Sequence, residues 1–102
     1  MGREVVYKGD ALKALDRTPK KDAQRIVDAI DGLSDNPIPV GAEQLKGMPG
    51  IYRIRIGDYR VVYDPEHESD APRGDRRRTQ LVRAIVILVI RVGHRKDVYR
   101  VR

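Results

Sequence analysis

The sequence predicts an α+β fold in the order β-α-α-β-β-β, with a helical hairpin packed on one face of a mostly antiparallel, twisted sheet. Three observations predict this fold. Apolar residues follow helical spacing in the first third of the chain, they alternate with polar residues over positions 51–64, and positions 81–92 are almost continuously apolar. The 102 residues suffice for one hydrophobic core, so we expect a single domain spanning residues 1–102.

The first half of the chain predicts one short strand followed by two helices. Residues 3–7 read as the strand, and residues 8–17 carry Ala and Leu on one helical face. Thr18 and Pro19 predict the start of the second helix, with Thr18 as N-cap and Pro19 at the first helical position. This helix extends to Leu33, and the Pro, Asn and Gly content of residues 34–41 predicts a loop after it.

The second half predicts a β-hairpin and a long central strand. Gly57-Asp58 forms a plausible tight turn between two alternating segments. One face of this hairpin carries tyrosines that we expect to pack against the helices, and the other face carries arginines; the tyrosines are Tyr52, Tyr59 and Tyr63. Residues 65–80 are polar with two prolines and a glycine, which predicts a long loop. Residues 81–92 predict a strand buried on both faces.

The positive charge is confined to the second half of the chain. Residues 1–50 contain eight basic and eight acidic residues, whereas residues 51–102 contain thirteen basic residues, twelve of them Arg, against seven acidic ones. The whole net charge of +6 therefore arises after residue 50. Arginine stays charged and offers a planar fork of donors that matches phosphate. This pattern is typical of nucleic-acid binders, although a solvated arginine face or an acidic protein partner would account for the charge as well.

Several classes of protein are excluded or disfavoured by composition. The absence of Cys excludes disulfides, thiolate metal sites and a Cys nucleophile. Only His67 and His94 remain as imidazole ligands, so we expect no metal and no cofactor. The charged N-terminus does not resemble a secretory signal, and the longest apolar run, at 84–90, is far shorter than the about twenty residues of a membrane span. We therefore expect a cytoplasmic protein with no membrane partner.

The arginines of the hairpin form the candidate site. Arg53 and Arg55 are two residues apart and leave the same face of a strand. Arg60 lies just across the predicted turn, and a second group lies at the end of the long strand and after it: Arg91, His94, Arg95 and Tyr99. If the long strand pairs with the hairpin, we expect all these residues to converge on one concave, cationic surface.

Such a surface suits a substrate that already carries negative charge. In RNA the 2′-OH can attack its own 3′-phosphate, so the protein needs only to orient the RNA and stabilise the developing charge. DNA lacks this hydroxyl, and the route would select RNA. Because Arg cannot act as a general base, that role falls to His94, Tyr99 or a group outside the chain. His94 is the more usual candidate because imidazole titrates near neutrality, while Tyr99 could instead stack on a base.

Two segments resemble the RelE-type toxins of bacterial toxin–antitoxin modules: LKGMPGIYRIRIGDYRVVY at 45–63 and VGHRKDVYR at 92–100. The predicted helices at 8–33 fit the same family. The resemblance implies a small α+β domain that enters the ribosomal A site and cleaves mRNA by 2′-OH attack, leaving a 2′,3′-cyclic phosphate and a 5′-OH. It also implies a cognate antitoxin that wraps the toxin and neutralises it.

The resemblance implies a role for each matching position. Arg53 and Arg55 occupy positions where the best-known members have two lysines that contact the substrate and support catalysis. Arg60 falls beside the scissile phosphate, and Arg95 falls where charge stabilisation or leaving-group protonation is assigned. Tyr99 falls on the tyrosine that stacks on the nucleotide or assists proton transfer.

Other features leave alternatives open. The 65–80 segment is longer than the turn usual in the family, and its Arg76, Arg77 and Arg78 could contact ribosomal RNA or simply form a solvated loop. Arg91 could line the site. ParE-type toxins share the fold and inhibit DNA gyrase without catalysis, but they generally lack the arginine set and the C-terminal tyrosine. A basic RNA-binding module without activity is the third possibility, since both lysine positions carry Arg here.

Overall fold

The fold is described here from a computed structural model, which describes residues 2–73 and 80–94. Seven elements follow in chain order: β1 (Val5–Tyr7), α1 (Gly9–Asp16), α2 (Lys20–Leu33), β2 (Glu43–Gln44), β3 (Tyr52–Ile56), β4 (Tyr59–Arg73) and β5 (Gln80–His94). The strands form one sheet in the order β1-β5-β4-β3-β2, in which β1 is parallel to β5 and the other neighbours are antiparallel. The predicted α+β class and element order are confirmed, and the two-residue β2 is an addition that the sequence did not predict.

The two helices bury most of the apolar faces that their spacing predicted. Ala11 of α1 and three residues of α2 (Ile26, Ile30 and Leu33) are buried. Leu12, which the spacing placed on the apolar face of α1, is instead 49% exposed. The predicted N-cap is wrong: the Thr18 hydroxyl donates to the carbonyl of Ala14 at 2.7 Å and so closes the end of α1. Pro19 takes the N-cap position of α2 with extended backbone angles, and no side chain caps that helix.

The core lies between the helices and one face of the sheet. Strand residues on that face complete it, namely Ile54, Val61, Tyr63, Ile87, Val89 and Val92. The parity changes within β5 because the β4–β5 register shifts between Val62 and Tyr63. Tyr63 is fully buried, and its hydroxyl donates to the carbonyl of Pro37 at 2.7 Å. Burial, followed by the charge of Tyr52, raises the pKa of Tyr63 to about 12. Tyr52 and Tyr59 also pack against this core, which confirms the predicted inward face of the hairpin.

The segment predicted as a long loop is instead mostly strand. β4 and β5 stay paired from Tyr59↔His94 to Arg73↔Gln80, with register shifts after Val62 and between Asp64 and His67. Composition was misleading because proline is tolerated at bulges and on edge strands. Pro65 lies within the second register shift, and Pro72 lies beyond the last residue of β4 that pairs with β3.

Strand β5 is central, as predicted, but it is not buried on both faces. It lies between β1 and β4, and Val86, Ile87, Val89 and Val92 are buried along it. Ile85 is 42% exposed and Arg91 is exposed, because the helices cover only one face of the sheet. Among the described residues, no helix is long and apolar enough to cross a membrane.

Candidate functional site

The face of the sheet opposite the helices carries the arginines of the hairpin. The two-residue turn at Gly57 and Asp58 places Arg55 directly opposite Arg60 and Arg53 opposite Val62. On its other side, β4 pairs Arg60 with Gly93 and Val62 with Arg91. Residues directly opposite in a sheet leave the same face, so two rows of side chains cross three strands there. The buried Val61 and Tyr63 lie on the other face of the same strand.

Three of these arginines surround one depression on that face. Its volume is about 200 Å³, and it is lined by Leu45, Arg53, Arg60, Val62, Arg91 and Gly93. We call it the arginine depression. Gly93 and Val62 leave its floor free of long side chains, and no acidic residue lines it within residues 2–73 and 80–94. Three arginines around one depression offer guanidinium donors that suit a phosphate anion.

Arg53 is partly enclosed and forms an ion pair at the edge of the arginine depression. Its side chain is 22% exposed, and its Nη2 donates to Oε1 of Glu43 at 3.1 Å. Glu43 lies opposite Arg53 across the short β2–β3 pairing. The Nε of Arg53 is buried and has no hydrogen-bond partner in the part of the chain that the structure describes. One terminal nitrogen of the guanidinium thus binds a carboxylate, while the buried Nε has no partner among the described residues.

Arg55 shares the face of the arginine depression but lines a neighbouring groove. That groove measures about 570 Å³ and extends along α2, with Ala29, Gly32 and Leu33 on one wall and Glu43 and Arg55 on the other. Arg55 is exposed. The structure therefore brings Arg53, Arg60 and Arg91 together and places Arg55 beside them.

His94 lies on the opposite face from the arginine depression, so its expected convergence with the arginines is not observed. It pairs with Tyr59, whose side chain faces the helices. The two rings meet edge to face, with centroids 5.0 Å apart and an interplanar angle of 88°. A small pocket there also involves Ala14, Arg17 and Thr18.

The remaining predicted site residues lie outside the described residues; they are Arg76, Arg77, Arg78, Arg95 and Tyr99. In the described residues no group of three His, Cys, Asp or Glu side chains is arranged to hold a metal ion.

Glu43 and Leu45 belong to the site but were not found from the sequence. Strand β2 contributes two residues, too few to produce a detectable alternation. The one available signal is the glycine spacing around it: Gly41, Gly47 and Gly50 all adopt positive φ and turn the chain back toward β3.

The chain is similar to known proteins over most of its length. Residues 5–72 match the family of the ParE toxin of type II toxin–antitoxin systems, parDE. Toxin RelG from Mycobacterium tuberculosis is 27% identical over 99 residues, covering 94% of each chain. The putative toxin RelE1 from Methanocaldococcus jannaschii is 38% identical over 55 residues, which are 51% of this chain and 61% of that protein. The archaeal RelE–RelB complex from Pyrococcus horikoshii contains a chain of similar fold, with a TM-score of 0.65, 26% identity, and coverage of 93% of this chain and 97% of that one.

Proposed function

We propose that this chain, which belongs to the ParE toxin family of type II toxin–antitoxin systems and is a toxin of the RelE type, is an endoribonuclease that cleaves mRNA in the ribosomal A site. The observation that carries this proposal is the arginine depression, where Arg53, Arg60 and Arg91 meet on an uncovered sheet face. A surface of this charge can bind the RNA backbone and stabilise the extra charge that forms on a phosphate under attack.

The proposed reaction uses the RNA's own nucleophile. The 2′-oxygen attacks the adjacent phosphorus and loses its proton, while the bond from phosphorus to the 5′-oxygen breaks and that oxygen gains a proton. The products are a 2′,3′-cyclic phosphate and a 5′-OH. Negative charge grows on the non-bridging oxygens, and guanidinium groups fixed in place before the reaction stabilise it.

We assign the phosphate under attack to Arg60 and the flanking backbone to Arg53 and Arg55, with Arg91 as a further phosphate contact. Arginine keeps its proton at neutral pH, so proton transfer requires other groups. We propose Tyr99 as the assistant in proton transfer and Arg95 as the group next to the leaving oxygen. His94 has no place in this scheme, because its side chain lies against Tyr59 on the helix side.

The proposal includes two partners and no cofactor. The Pyrococcus horikoshii structure is a RelE–RelB complex, and we propose that a cognate antitoxin protein likewise neutralises this chain. The second partner is the mRNA-bearing ribosome, which places the activity in the cytoplasm. We propose that Arg76, Arg77 and Arg78 contact ribosomal RNA.

A cleavage assay with programmed ribosomes tests the function. Purified protein is incubated with mRNA, with and without ribosomes stalled on a defined codon, and cuts are mapped by primer extension. We expect cuts only with ribosomes, and a loss of about 100-fold or more in Arg60→Ala, as for removal of one charge-stabilising donor. Arg17→Ala is the matched control, since it removes the same charge from the helix side. Equal losses in both variants, or no cuts by the wild-type protein, would contradict the proposal.

Inhibition of DNA gyrase is the second candidate, and the match to the ParE toxin family favours it. A supercoiling assay with purified gyrase tests it directly. Inhibition of supercoiling by a protein that leaves ribosome-bound mRNA intact would establish this function instead. RNA binding without either effect would indicate a module that only binds.

A further inference from the structure

Glu43 places a carboxylate against one arginine of the arginine depression. It projects from β2 and accepts a hydrogen bond from Arg53 Nη2 at 3.1 Å. It also lines the groove that contains Arg55. A negative group therefore contacts Arg53 and lines the same groove as Arg55, and we assign both arginines to the RNA backbone.

The contact between Glu43 and Arg53 is only partial. The carboxylate engages Nη2, while the buried Nε of the same guanidinium has no partner in residues 2–73 and 80–94. The Glu43 side chain is 61% exposed, against 22% for Arg53. An ion pair with so much solvent access contributes little stability. A phosphate can accept from two N–H groups of one guanidinium at once, which gives shorter and stronger bonds.

The carboxylate can leave without disturbing the core. Glu43 and Gln44 are both exposed, and β2 pairs with β3 over these two residues alone. The next backbone hydrogen bond runs from Leu45 N–H to the carbonyl of Ile51 at 2.8 Å. Displacing Glu43 from Arg53 needs only a side-chain rotation at this edge of the sheet.

We propose that Glu43 is a positioning residue that competes with the substrate: its carboxylate holds the Arg53 guanidinium at the depression until an RNA phosphate displaces it, and it thereby lowers the affinity for RNA. RNA as the source of the phosphate rests on the proposed function. Glu43 acts through Arg53, so its effect disappears when Arg53 no longer offers a donor fork.

Fluorescence anisotropy with a labelled, single-stranded RNA tests this proposal. The oligonucleotide carries 2′-deoxy substitutions, so binding is measured without cleavage. We expect Glu43→Gln to tighten binding about two- to fivefold, the factor that corresponds to the value of an exposed ion pair. Glu4→Gln is the matched control, because Glu4 is exposed and lies next to β1 at the far edge of the sheet. Four strand spacings, roughly 19 Å, separate β1 from β2, well beyond the screening length of about 8 Å at physiological salt.

A double-mutant cycle decides whether the effect passes through Arg53. In an Arg53→Gln background we expect Glu43→Gln to give no gain in affinity. Arg53→Lys provides a second background that keeps the charge but removes the fork, and thermal melting checks the fold of each variant. The proposal is overturned by unchanged or weaker binding in Glu43→Gln, by an equal gain in Glu4→Gln, by a gain that persists in both Arg53 backgrounds, or by RNA binding to none of the variants.

The same proteins in the ribosome assay separate this inference from the proposed function. Tighter binding by Glu43→Gln, together with wild-type protein that does not cleave, would sustain the inference and reject the nuclease. Wild-type cleavage with no effect of Glu43→Gln on binding would sustain the nuclease and reject the inference. If both hold, we expect Glu43→Gln to lower KM for cleavage by about the same factor as the change in Kd, with a smaller change in kcat.

Discussion

Replacing Arg91 with Gln tests whether RNA binds on the open face of the sheet. Arg91 is exposed on β5, opposite Val62, and lines the arginine depression with Arg53 and Arg60. It contributes nothing to the buried core. The substitution therefore removes one positive charge from the proposed RNA site while the packing of the sheet stays intact.

The size of the effect follows from the number of arginines that we assign to RNA phosphates. Each phosphate neutralised on a single strand adds about 0.7 to the slope of log affinity against log salt. Four contacts predict a slope near −2.8, and loss of Arg91 predicts about −2.1. Between 50 and 200 mM salt the wild-type protein should lose about fiftyfold in affinity, and Arg91→Gln only about eighteenfold.

The assay is a salt titration of binding to the 2′-deoxy-substituted oligonucleotide, read by anisotropy. Arg17→Gln serves as the control because Arg17 lies on the helix side, beside Thr18 and His94. We expect it to leave the slope unchanged. A smaller salt slope for Arg17→Gln, with no change for Arg91→Gln, would indicate that RNA binds on the helix side of the sheet. That result would refute the proposed binding of RNA at the arginine depression.

Three further variants test the fold and the assignment of His94. Tyr63→Phe removes the donor to Pro37 and should lower the free energy of unfolding by about 1 kcal/mol in urea denaturation. Folding raises the pKa of Tyr63 from 10.0 to about 12, so the unfolded chain ionises first as the pH rises. The free energy of unfolding of the wild-type protein should therefore fall between pH 10 and 12. The fall should be less steep in Tyr63→Phe, which lacks this ionisable group. Gly57→Ala, at φ 60° in the hairpin turn, should cost about 1–2 kcal/mol in the same assay. Loss of a general acid or base lowers a rate by about 100-fold or more. His94→Gln should lower the cleavage rate far less than this. A loss of that size would show that His94 takes part in catalysis.

Local periodicity was sufficient to predict the helices and half of the site. The turn at Gly57 and Asp58 fixes Arg55 opposite Arg60, and alternation then places Arg53 on the same face. No contact with a distant segment is needed for this result. The helical faces of α1 and α2 are equally local, which is why their buried residues matched the predicted spacing.

Features that depend on long-range pairing were harder to predict. Residues 65–73 have the composition of a loop, but β5 offers them an apolar strand to pair with, and the ribbon continues to Arg73. The position of His94 depended on where β5 ends. The strand continues through His94, so alternation separates His94 from Gly93 and directs it toward Tyr59. If β5 ended at residue 92, as the sequence predicted, strand alternation would not fix the side on which His94 lies.

The pairing of Arg55 with Arg60 places two like charges side by side, and the RNA that we propose as ligand would reduce their repulsion. Arg55 and Arg60 lie directly opposite each other on adjacent strands, an arrangement in which like charges destabilise a sheet. A sequence that specified only the fold would favour opposite charges at this pair. The buried core on the other face offsets the repulsion, and Glu43 neutralises part of the charge beside it. An RNA backbone that reaches both arginines would reduce the repulsion further, and because RNA would bind only the folded protein, binding should also raise the melting temperature.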